Sequence, residues 1–217
     1  MLATIQQTEE LLAIFREQGS RYTYKKGEFI IRPGETPSGV FYIESGLVKA
    51  YDITKYGEEN LLIIRREGEM FPLIWAITGQ ERQVIYEAIG PTILWEISRD
   101  TFLAHVKSNP EALAPLLDMT LEMYRIHSER ILNLEYRSVR ERLISFLLTM
   151  SHRFGKKTTE GLLINVPLRH QDIASSINAS RETTTRELTA LERKDMLLNR
   201  QSLITLVDIE KLQNYLQ

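Results

Sequence analysis

The 217-residue sequence predicts an α+β protein in three successive parts: a β-rich N-terminal part, one long helix and a compact C-terminal part. Three observations carry this prediction. Short apolar runs separated by turn clusters fill residues 22–103, which is typical of strands. Apolar side chains then recur at helical spacing over residues 110–137. Residues 138–217 combine short amphipathic helices with a small hairpin.

Composition excludes several classes of protein. The chain is 43% hydrophobic and 26% charged, as expected for a folded domain rather than a disordered or low-complexity one. It contains no cysteine, which excludes disulfides, thiolate nucleophiles, Cys-bound zinc and Cys-bound iron–sulfur clusters. No segment approaches the ~20 apolar residues of a membrane helix, and residues 1–7 lack the features of a signal peptide. We therefore expect a cytoplasmic protein.

The charges are distributed unevenly along the chain. Residues 138–217 carry 12 of the 27 Lys and Arg residues and 9 of the 29 Asp and Glu residues, a net charge of +3. The first 137 residues carry the remainder, a net charge of −5. A basic C-terminal part behind an acidic body suggests an anionic partner at the C-terminal end.

The N-terminal part is predicted to begin with a helix over residues 4–19 that ends at Gly19, followed by a small β-sandwich or barrel. Five glycines recur at an interval of eleven residues, which is the length of one strand and one turn in a small β-sandwich or barrel. They are Gly46, Gly57, Gly68, Gly79 and Gly90. The predicted strands are Phe29–Ile31, Val40–Ile43, Leu47–Tyr51, Leu61–Ile64, Val84–Tyr86 and Ile93–Ile97.

The long helix is predicted to present two apolar surfaces. Ser98 or Asp100 can cap a short helix before it, and Pro110 opens the long helix in its first turn. One surface follows heptad spacing and is called the seam below: Leu113, Leu117, Thr120, Tyr124, His127, Ile131 and Leu134. The other surface comprises Leu116, Met119, Met123 and Ile126. We expect the second surface to pack on the β-rich part and the seam to join two copies. The alternative is an ordinary core helix in a monomer.

The C-terminal part reads as helix, tight turn, capped helix and β-hairpin. Asn178 tolerates the left-handed conformation that a tight turn between helices requires. Ser180 is a favoured N-cap, and Asp208 can cap the last helix. The predicted helices are 139–150, 169–177, 180–194 and 209–216, with a loop at 154–161 and strands at 162–166, 197–199 and 203–207.

This layout is that of a winged helix-turn-helix, whose second helix reads DNA. With Leu188 facing inward, the opposite face near the helix start carries Arg181, Glu182, Thr185 and Arg186. Arginine pairs with guanine in the major groove and glutamate accepts from cytosine, so we predict base reading. The alternative for such side chains is a solvated charged face.

Two stretches resemble the CRP/FNR family of bacterial transcription regulators. Residues 27–49, with Gly27-Glu28-Phe29-Ile30 and Glu44-Ser45-Gly46-Leu47, resemble its cyclic-nucleotide-binding-type β-roll, a jelly roll or double-stranded β-helix. Residues 171–174 and 180–188 resemble its DNA-reading motif. The resemblance implies an effector-type β-roll domain (1–109), a dimerisation helix (110–137) and a winged helix-turn-helix domain (138–217). It also implies a homodimer that binds double-stranded DNA and RNA polymerase.

Specific contacts follow from the same resemblance. Arg181, Glu182 and Arg186 match the base-reading set of the family, which implies a TGTGA-like near-palindrome. Gln171 matches a contact to the DNA backbone, and His170 stands where a basic phosphate contact is common. Charge and position alone add Arg200 at the wing tip, and the helix start at Ser180 favours phosphate.

The effector pocket departs from that of cyclic-AMP-binding members. Arg82 matches the phosphate-binding arginine, but Gln83 replaces the hydroxyl residue and the ribose-binding Gly-Glu pair is absent. A buried ribose hydroxyl without an acceptor is costly, so we do not expect cyclic AMP to bind. Ser128 matches a hydroxyl residue that contacts the base of the cyclic nucleotide in this family, and His127 stands beside it. The candidate lining is Arg82, Gln83, Phe71, Trp75, Tyr124, His127 and Ser128.

Other functions are disfavoured. No cofactor or metal is predicted, although the four histidines leave haem open: His105, His127, His152 and His170. Residues 22–97 contain no histidine, unlike a cupin metal enzyme, and no nucleophile–base set or phosphate-binding loop occurs, so no enzyme is predicted. Two alternatives remain: a cyclic-AMP-responsive regulator of the same fold, and a small-molecule-binding module without DNA function.

Overall fold

The computed structural model describes residues 5–216, and the side chains from residue 8 onward. Residue 4, where the first helix was predicted to begin, lies outside the described residues. The chain divides into two compact units. The first comprises the residues up to Tyr56 together with Leu62–Met123, and the second comprises Gly57–Leu61 together with the residues from Tyr124 onward.

The first unit is a β-roll flanked by helices. Its strands form two four-stranded sheets, ordered β1-β8-β3-β6 and β2-β7-β4-β5, in which the pairings with described registers are antiparallel. Two of its elements, β5 and α4, continue into the second unit. The elements are α1 (Ile5–Gln18), β1 (Ser20–Tyr24), β2 (Phe29–Ile31), β3 (Val40–Ser45), β4 (Leu47–Ile53), β5 (Glu59–Arg66), β6 (Met70–Phe71), α2 (Leu73–Thr78), β7 (Ile85–Ala88), β8 (Thr92–Ile97), α3 (Arg99–Ser108) and α4 (Leu113–Tyr136).

The predicted strands are all present, because their short apolar runs are largely buried in the core of the roll. Glycines were predicted at the turns, and at Gly46 the backbone has φ +96° while an added Cβ would lie 2.6 Å from the carbonyl oxygen of Pro91. Strands β1 and β6 and helix α2 were not predicted. Strand β1 is mostly exposed and polar, so it lacks an alternating apolar pattern. Helix α2 is one short apolar run that periodicity cannot assign.

Aromatic side chains organise the core of the β-roll. Phe71 is fully buried and stacks between Phe41 and Tyr86, with ring centroids 5.3 Å and 4.6 Å away. A second cluster joins α1 to the helices that follow the roll, through residues such as Phe15 and Phe102. These contacts fix the scaffold against which α4 begins.

Helix α4 has the two surfaces that its sequence predicts. Leu116 is buried and Met119 packs against the core cluster of the first unit, while Met123 and Ile126 are half-buried. The seam residues are exposed, except for half-buried His127. The start differs from the prediction, because Pro110–Ala112 forms a 3-10 turn and the α-helix begins at Leu113. The short hydrogen bond from the Ala112 N–H to the Asn109 carbonyl tightens this turn.

The second unit is a helical domain with a four-stranded sheet ordered β11-β12-β10-β9. It opens with a capping box in which the Ser138 hydroxyl accepts from the Glu141 N–H and the Glu141 carboxylate accepts from the Ser138 N–H. Donation from the Ser138 hydroxyl, and from its backbone N–H, to the Glu141 carboxylate holds the pKa of Glu141 below its usual value. The elements are α5 (Val139–Phe154), β9 (Gly155–Thr158), β10 (Gly161–Ile164), α6 (His170–Ser176), α7 (Arg181–Glu192), β11 (Leu197–Arg200), β12 (Leu203–Leu206) and α8 (Ile209–Asn214).

One predicted loop is wrong. Residues 154–161 were expected to form a loop, but α5 runs to Phe154 and β9 occupies Gly155–Thr158. Strand β9 pairs with β10, and all four of its residues are exposed. Because neither face of β9 is buried, its sequence has no alternation of apolar and polar residues that would predict a strand. No helix among the described residues is long and apolar enough to cross a membrane.

Candidate nucleic-acid interface

The geometry of a helix-turn-helix is formed by α6 and α7. Asn178 adopts φ +51° in the turn between them, as its residue type predicted. The turn is closed by a hydrogen bond from the Ala179 N–H to the Ala174 carbonyl, 3.0 Å long. The inward faces of both helices are buried, at Ile173, Ala174, Ile177, Leu188 and Leu191. This packing fixes which face of α7 is turned to solvent.

The start of α7 is capped as predicted. The Ser180 hydroxyl accepts a hydrogen bond from the Thr183 N–H at 3.1 Å. Its oxygen also lies 3.0 Å from the Thr183 hydroxyl. The cap leaves the backbone N–H groups of the first turn pointing out of the helix start, where an anion is favoured.

Three of the predicted base readers share the exposed face near that start. Arg181, Glu182 and Arg186 are exposed, and Thr185 is half-buried. Within the part of the chain that the structure describes, Arg181 and Glu182 make no side-chain hydrogen bond or ion pair. The polar contact of Arg186 is a 3.5 Å approach to the Thr183 hydroxyl. Their hydrogen-bonding groups are therefore available to a ligand.

The opposite face of α7 is anchored to α5. Arg140 Nε lies 2.6 Å from Glu187 Oε2, an ion pair in which the glutamate is mostly buried. Thr184 is fully buried, and its hydroxyl oxygen has no hydrogen-bond partner among the described residues. An unpaired buried hydroxyl costs free energy, since it has given up its hydrogen bonds to water.

Thr184→Val is therefore expected to raise the free energy of unfolding, by about 1 kcal/mol, because valine has nearly the same shape and no hydroxyl. Urea unfolding followed by circular dichroism measures this change. The matched control is Thr183→Val, which removes a hydroxyl with partners and should not stabilise the protein. A loss of stability in Thr184→Val would mean that the hydroxyl has a partner.

The wing is the hairpin of β11 and β12. Its two-residue turn places Gln201 at φ +53° and Ser202 at φ +65°, which matches a type I′ hairpin turn. Arg200 is exposed next to this turn, but its Nη1 lies 3.0 Å from both carboxylate oxygens of Glu160. Such an exposed pair is weak, so a phosphate can compete for the guanidinium.

The start of α6 is more extensively hydrogen-bonded than the sequence indicated. Gln171 is exposed, as a phosphate contact requires. His170 is half-buried, with Nδ1 2.8 Å from the Thr185 hydroxyl oxygen and Nε2 3.0 Å from Asn199 Nδ2. The backbone N–H and Nε of Arg169 both donate to Asp172 Oδ2, at 3.1 Å and 2.9 Å, and this carboxylate raises the pKa of the guanidinium.

Sequence reasoning missed two arginines that brace α6. Arg169 Nη2 lies 2.9 Å from Glu59 Oε2. Arg130 donates to the carbonyl oxygens of Leu61 and Ser175 at 3.0 Å and 3.2 Å, and to Asn60 Oδ1 at 3.0 Å. All of these residues belong to the second unit. Their partners are up to 110 positions away, so no local pattern could have identified them.

The predicted effector residues fall in both units. In the first unit, Arg82 and Gln83 are exposed and Trp75 is half-buried, with Arg99 above its ring. Phe71 is part of the aromatic core. In the second unit, Tyr124 is 71% exposed, while His127 and Ser128 are half-buried.

The β-roll interior also contains a charged residue that the sequence analysis did not single out. Arg65 is buried, and its Nη1 lies 3.6 Å from Glu69 Oε2. Burial raises the pKa of Tyr86, which the charges of Arg65 and Arg82 oppose. Among the described residues, no cluster of three or more His, Cys, Asp or Glu side chains could hold a metal ion.

Comparisons with known proteins agree with this architecture. Residues 21–109 match the family profile described as a cyclic nucleotide-binding domain, and residues 141–215 match a Crp-like helix-turn-helix domain. Over 207 residues the chain is 30% identical to the global nitrogen regulator of Synechocystis, covering 89% of this chain and 90% of that protein. It is 23% identical over 184 residues to the fumarate and nitrate reduction regulatory protein of Vibrio cholerae, covering 85% and 73%.

Solved structures show the same fold. A mutant of CooA from Carboxydothermus hydrogenoformans superposes with a TM-score of 0.80 at 20% identity, covering 99% of this chain and 98% of that one. FixK2 from Bradyrhizobium japonicum gives a TM-score of 0.78 at 23% identity, covering 90% and 96%.

A cyclic-nucleotide-binding-type β-roll followed by a helix-turn-helix defines a DNA-binding transcription regulator. This class regulates transcription and is not enzymatic, as the sequence predicted. The chain belongs to the CRP/FNR family of transcription regulators.

Proposed function

We propose that this chain is a homodimeric regulator that reads a TGTGA-like near-palindrome in double-stranded DNA. The observation that carries the proposal is the exposure of Arg181, Glu182 and Arg186 on one face at the capped start of α7. Arginine can bond the O6 and N7 atoms of guanine, and glutamate can accept from the N4 group of cytosine. A half-site with G·C pairs supplies both partners.

Contacts to phosphate supply affinity rather than sequence preference. Gln171, the helix start at Ser180 and the wing-tip Arg200 are the proposed phosphate contacts, because they surround α7 and are exposed. His170 stands at the same edge, but both of its ring nitrogens contact Thr185 and Asn199, so it is not among the proposed phosphate contacts. Release of Arg200 from Glu160 would accompany DNA binding.

The seam of α4 is the proposed contact between two copies. Its apolar residues are exposed in the single chain, including Leu117 and Ile131, and Leu121 adds to the exposed apolar surface. Burial of such a surface against a second copy is the expected result. A twofold dimer would place its two α7 helices in successive major grooves, ~34 Å apart.

The β-roll is the proposed effector domain, with an unknown small molecule rather than cyclic AMP as its ligand. Support comes from Gln83, which stands in place of the phosphate-binding hydroxyl and is exposed next to Arg82. No haem or metal is included in the proposal. The proposed regulator acts on RNA polymerase in the cytoplasm. The alternatives are a cyclic-AMP-responsive regulator and a ligand-binding module without DNA function.

The deciding experiment is titration of ligand-free protein with a labelled TGTGA-N6-TCACA duplex and a scrambled duplex at one salt concentration. We expect selective binding that added cyclic AMP leaves unchanged, since Gln83 stands in place of the phosphate-binding hydroxyl residue. Selectivity that appears only with cyclic AMP would support the first alternative. Equal binding of both duplexes under both conditions would contradict the proposed half-site.

A further inference from the structure

The imidazole of His170 connects three elements of the second unit. It stands at the first position of α6, its Nδ1 lies 2.8 Å from Thr185 Oγ1 on α7, and its Nε2 lies 3.0 Å from Asn199 Nδ2 on β11. Both ring nitrogens are therefore engaged by the protein itself. This arrangement differs from that of a basic side chain held free for phosphate.

The donors and acceptors present determine the direction of both hydrogen bonds of the His170 ring. Thr185 Oγ1 lies 2.8 Å from the Arg181 carbonyl oxygen, which can only accept, so the single hydroxyl hydrogen of Thr185 is donated there. Toward His170 the Thr185 oxygen must then accept, and Nδ1 of His170 must carry a hydrogen. In the neutral ring Nε2 is then the acceptor, which matches donation from the Asn199 amide.

Asn199 is itself held at a second point. Its backbone N–H donates to Glu192 Oε1 at 3.1 Å, at the last residue of α7. In β11, Asn199 pairs with Ile204 of β12. His170 and Glu192 together thus tie the wing to both α6 and α7.

We propose that His170 is a positioning residue that aligns the recognition helix with the wing, and that Thr185 reads its base through its methyl group. This inference rests on the proposed function, since it requires that α7 enters the major groove. The hydroxyl of Thr185 is committed to Arg181 and His170, so the methyl is the part of the side chain left for a base. The methyl group of thymine is the chemical partner of such a contact.

A test without DNA is ¹⁵N NMR of the histidine rings in the full-length protein. The neutral form of the His170 ring should carry its hydrogen on Nδ1 and none on Nε2, and Thr185→Val should perturb the Nδ1 signal. A His170 ring with an unprotonated Nδ1 would overturn the positioning role. This outcome is independent of whether the protein prefers any DNA sequence.

A second test compares two variants of Thr185, each of which keeps only one of the two groups on its Cβ, the methyl or the hydroxyl. Thr185→Val keeps the methyl and loses the hydroxyl, whereas Thr185→Ser does the reverse. Each is titrated with the TGTGA duplex and with duplexes in which one thymine is replaced by deoxyuridine, which lacks only the methyl. We expect one such replacement to weaken binding by wild type and Thr185→Val about fourfold, but to leave Thr185→Ser unchanged.

Insensitivity of the wild type to every deoxyuridine replacement, or sensitivity retained by Thr185→Ser, would overturn methyl reading. If wild-type protein prefers no sequence at all, the proposed function fails instead, and the NMR measurement alone decides the role of His170.

His170→Ala separates positioning from phosphate binding. Positioning predicts a lower ratio of specific to non-specific affinity with an unchanged slope of log K against log salt. Loss of a charged phosphate contact predicts a slope reduced by about 0.9 with an unchanged ratio, and this result would overturn the proposal. The control is His152→Ala, which removes an exposed histidine of α5 and should change neither quantity.

Discussion

Arg186→Ala is expected to weaken binding to the TGTGA-like duplex by about 5- to 150-fold, equivalent to ~1–3 kcal/mol. Arg186 lies on the exposed face of α7, and its intramolecular polar contact is the 3.5 Å approach to Thr183. Its removal therefore costs little folding free energy, so the loss should fall on binding. Preference at one base pair of the half-site should relax, while binding to scrambled DNA should change far less.

The matched control is Arg193→Ala, which removes the same charge from an exposed position at the other end of α7. It should not alter the ratio between specific and scrambled duplexes. Titrations of both variants against single-base-pair replacements in the half-site provide the measurement. Equal losses on specific and scrambled DNA in Arg186→Ala would assign this arginine to phosphate rather than to a base.

Ile131→Asp is expected to convert a dimer into a monomer and to weaken binding to the full near-palindrome by about 100-fold or more. Ile131 is 58% exposed on the seam, so a monomer tolerates aspartate there. A dimer would have to bury two uncompensated carboxylates at this position, which is costly. Loss of the second recognition helix removes the gain in affinity from bivalent binding, about 10²- to 10⁴-fold.

Sedimentation equilibrium reports the oligomeric state, and titration of one-half-site and two-half-site duplexes reports the bivalent gain. Glu129→Gln is the matched control on α4, because it breaks only an exposed pair with Arg125. It should remain dimeric. A wild-type protein that is monomeric at micromolar concentration would contradict the role of the seam.

The sequence predicted well those elements in which the local order of apolar and polar residues indicates which side chains are buried. Strands such as β4 appear as short apolar runs because most of their residues are buried, and α7 is marked by a serine cap and inward leucines. The faces of α4 were likewise predictable, because exposed Leu117 and core-packed Met119 fall on nearly opposite sides of a regular helix.

The parts that the sequence did not reveal depend on long-range contacts. Strand β9 has no buried face, so only its pairing with β10 defines it. Nothing local indicates that the ring of His170 meets Thr185 and Asn199. Arg169 and Arg130 were missed for the same reason. Their partners come together only after folding.

The division of the chain within α4 bears on how such a regulator can be recombined. The compact units part between Met123 and Tyr124, in a helix that continues without glycine or proline to Tyr136. A chimera joined at Ser138 would therefore leave behind fourteen residues, 124–137, that belong to the DNA-binding unit. It would also leave behind Gly57–Leu61, including the Leu61 carbonyl oxygen, which accepts a hydrogen bond from Arg130. In this protein, the DNA-reading portion is not a portable module bounded by a single cut.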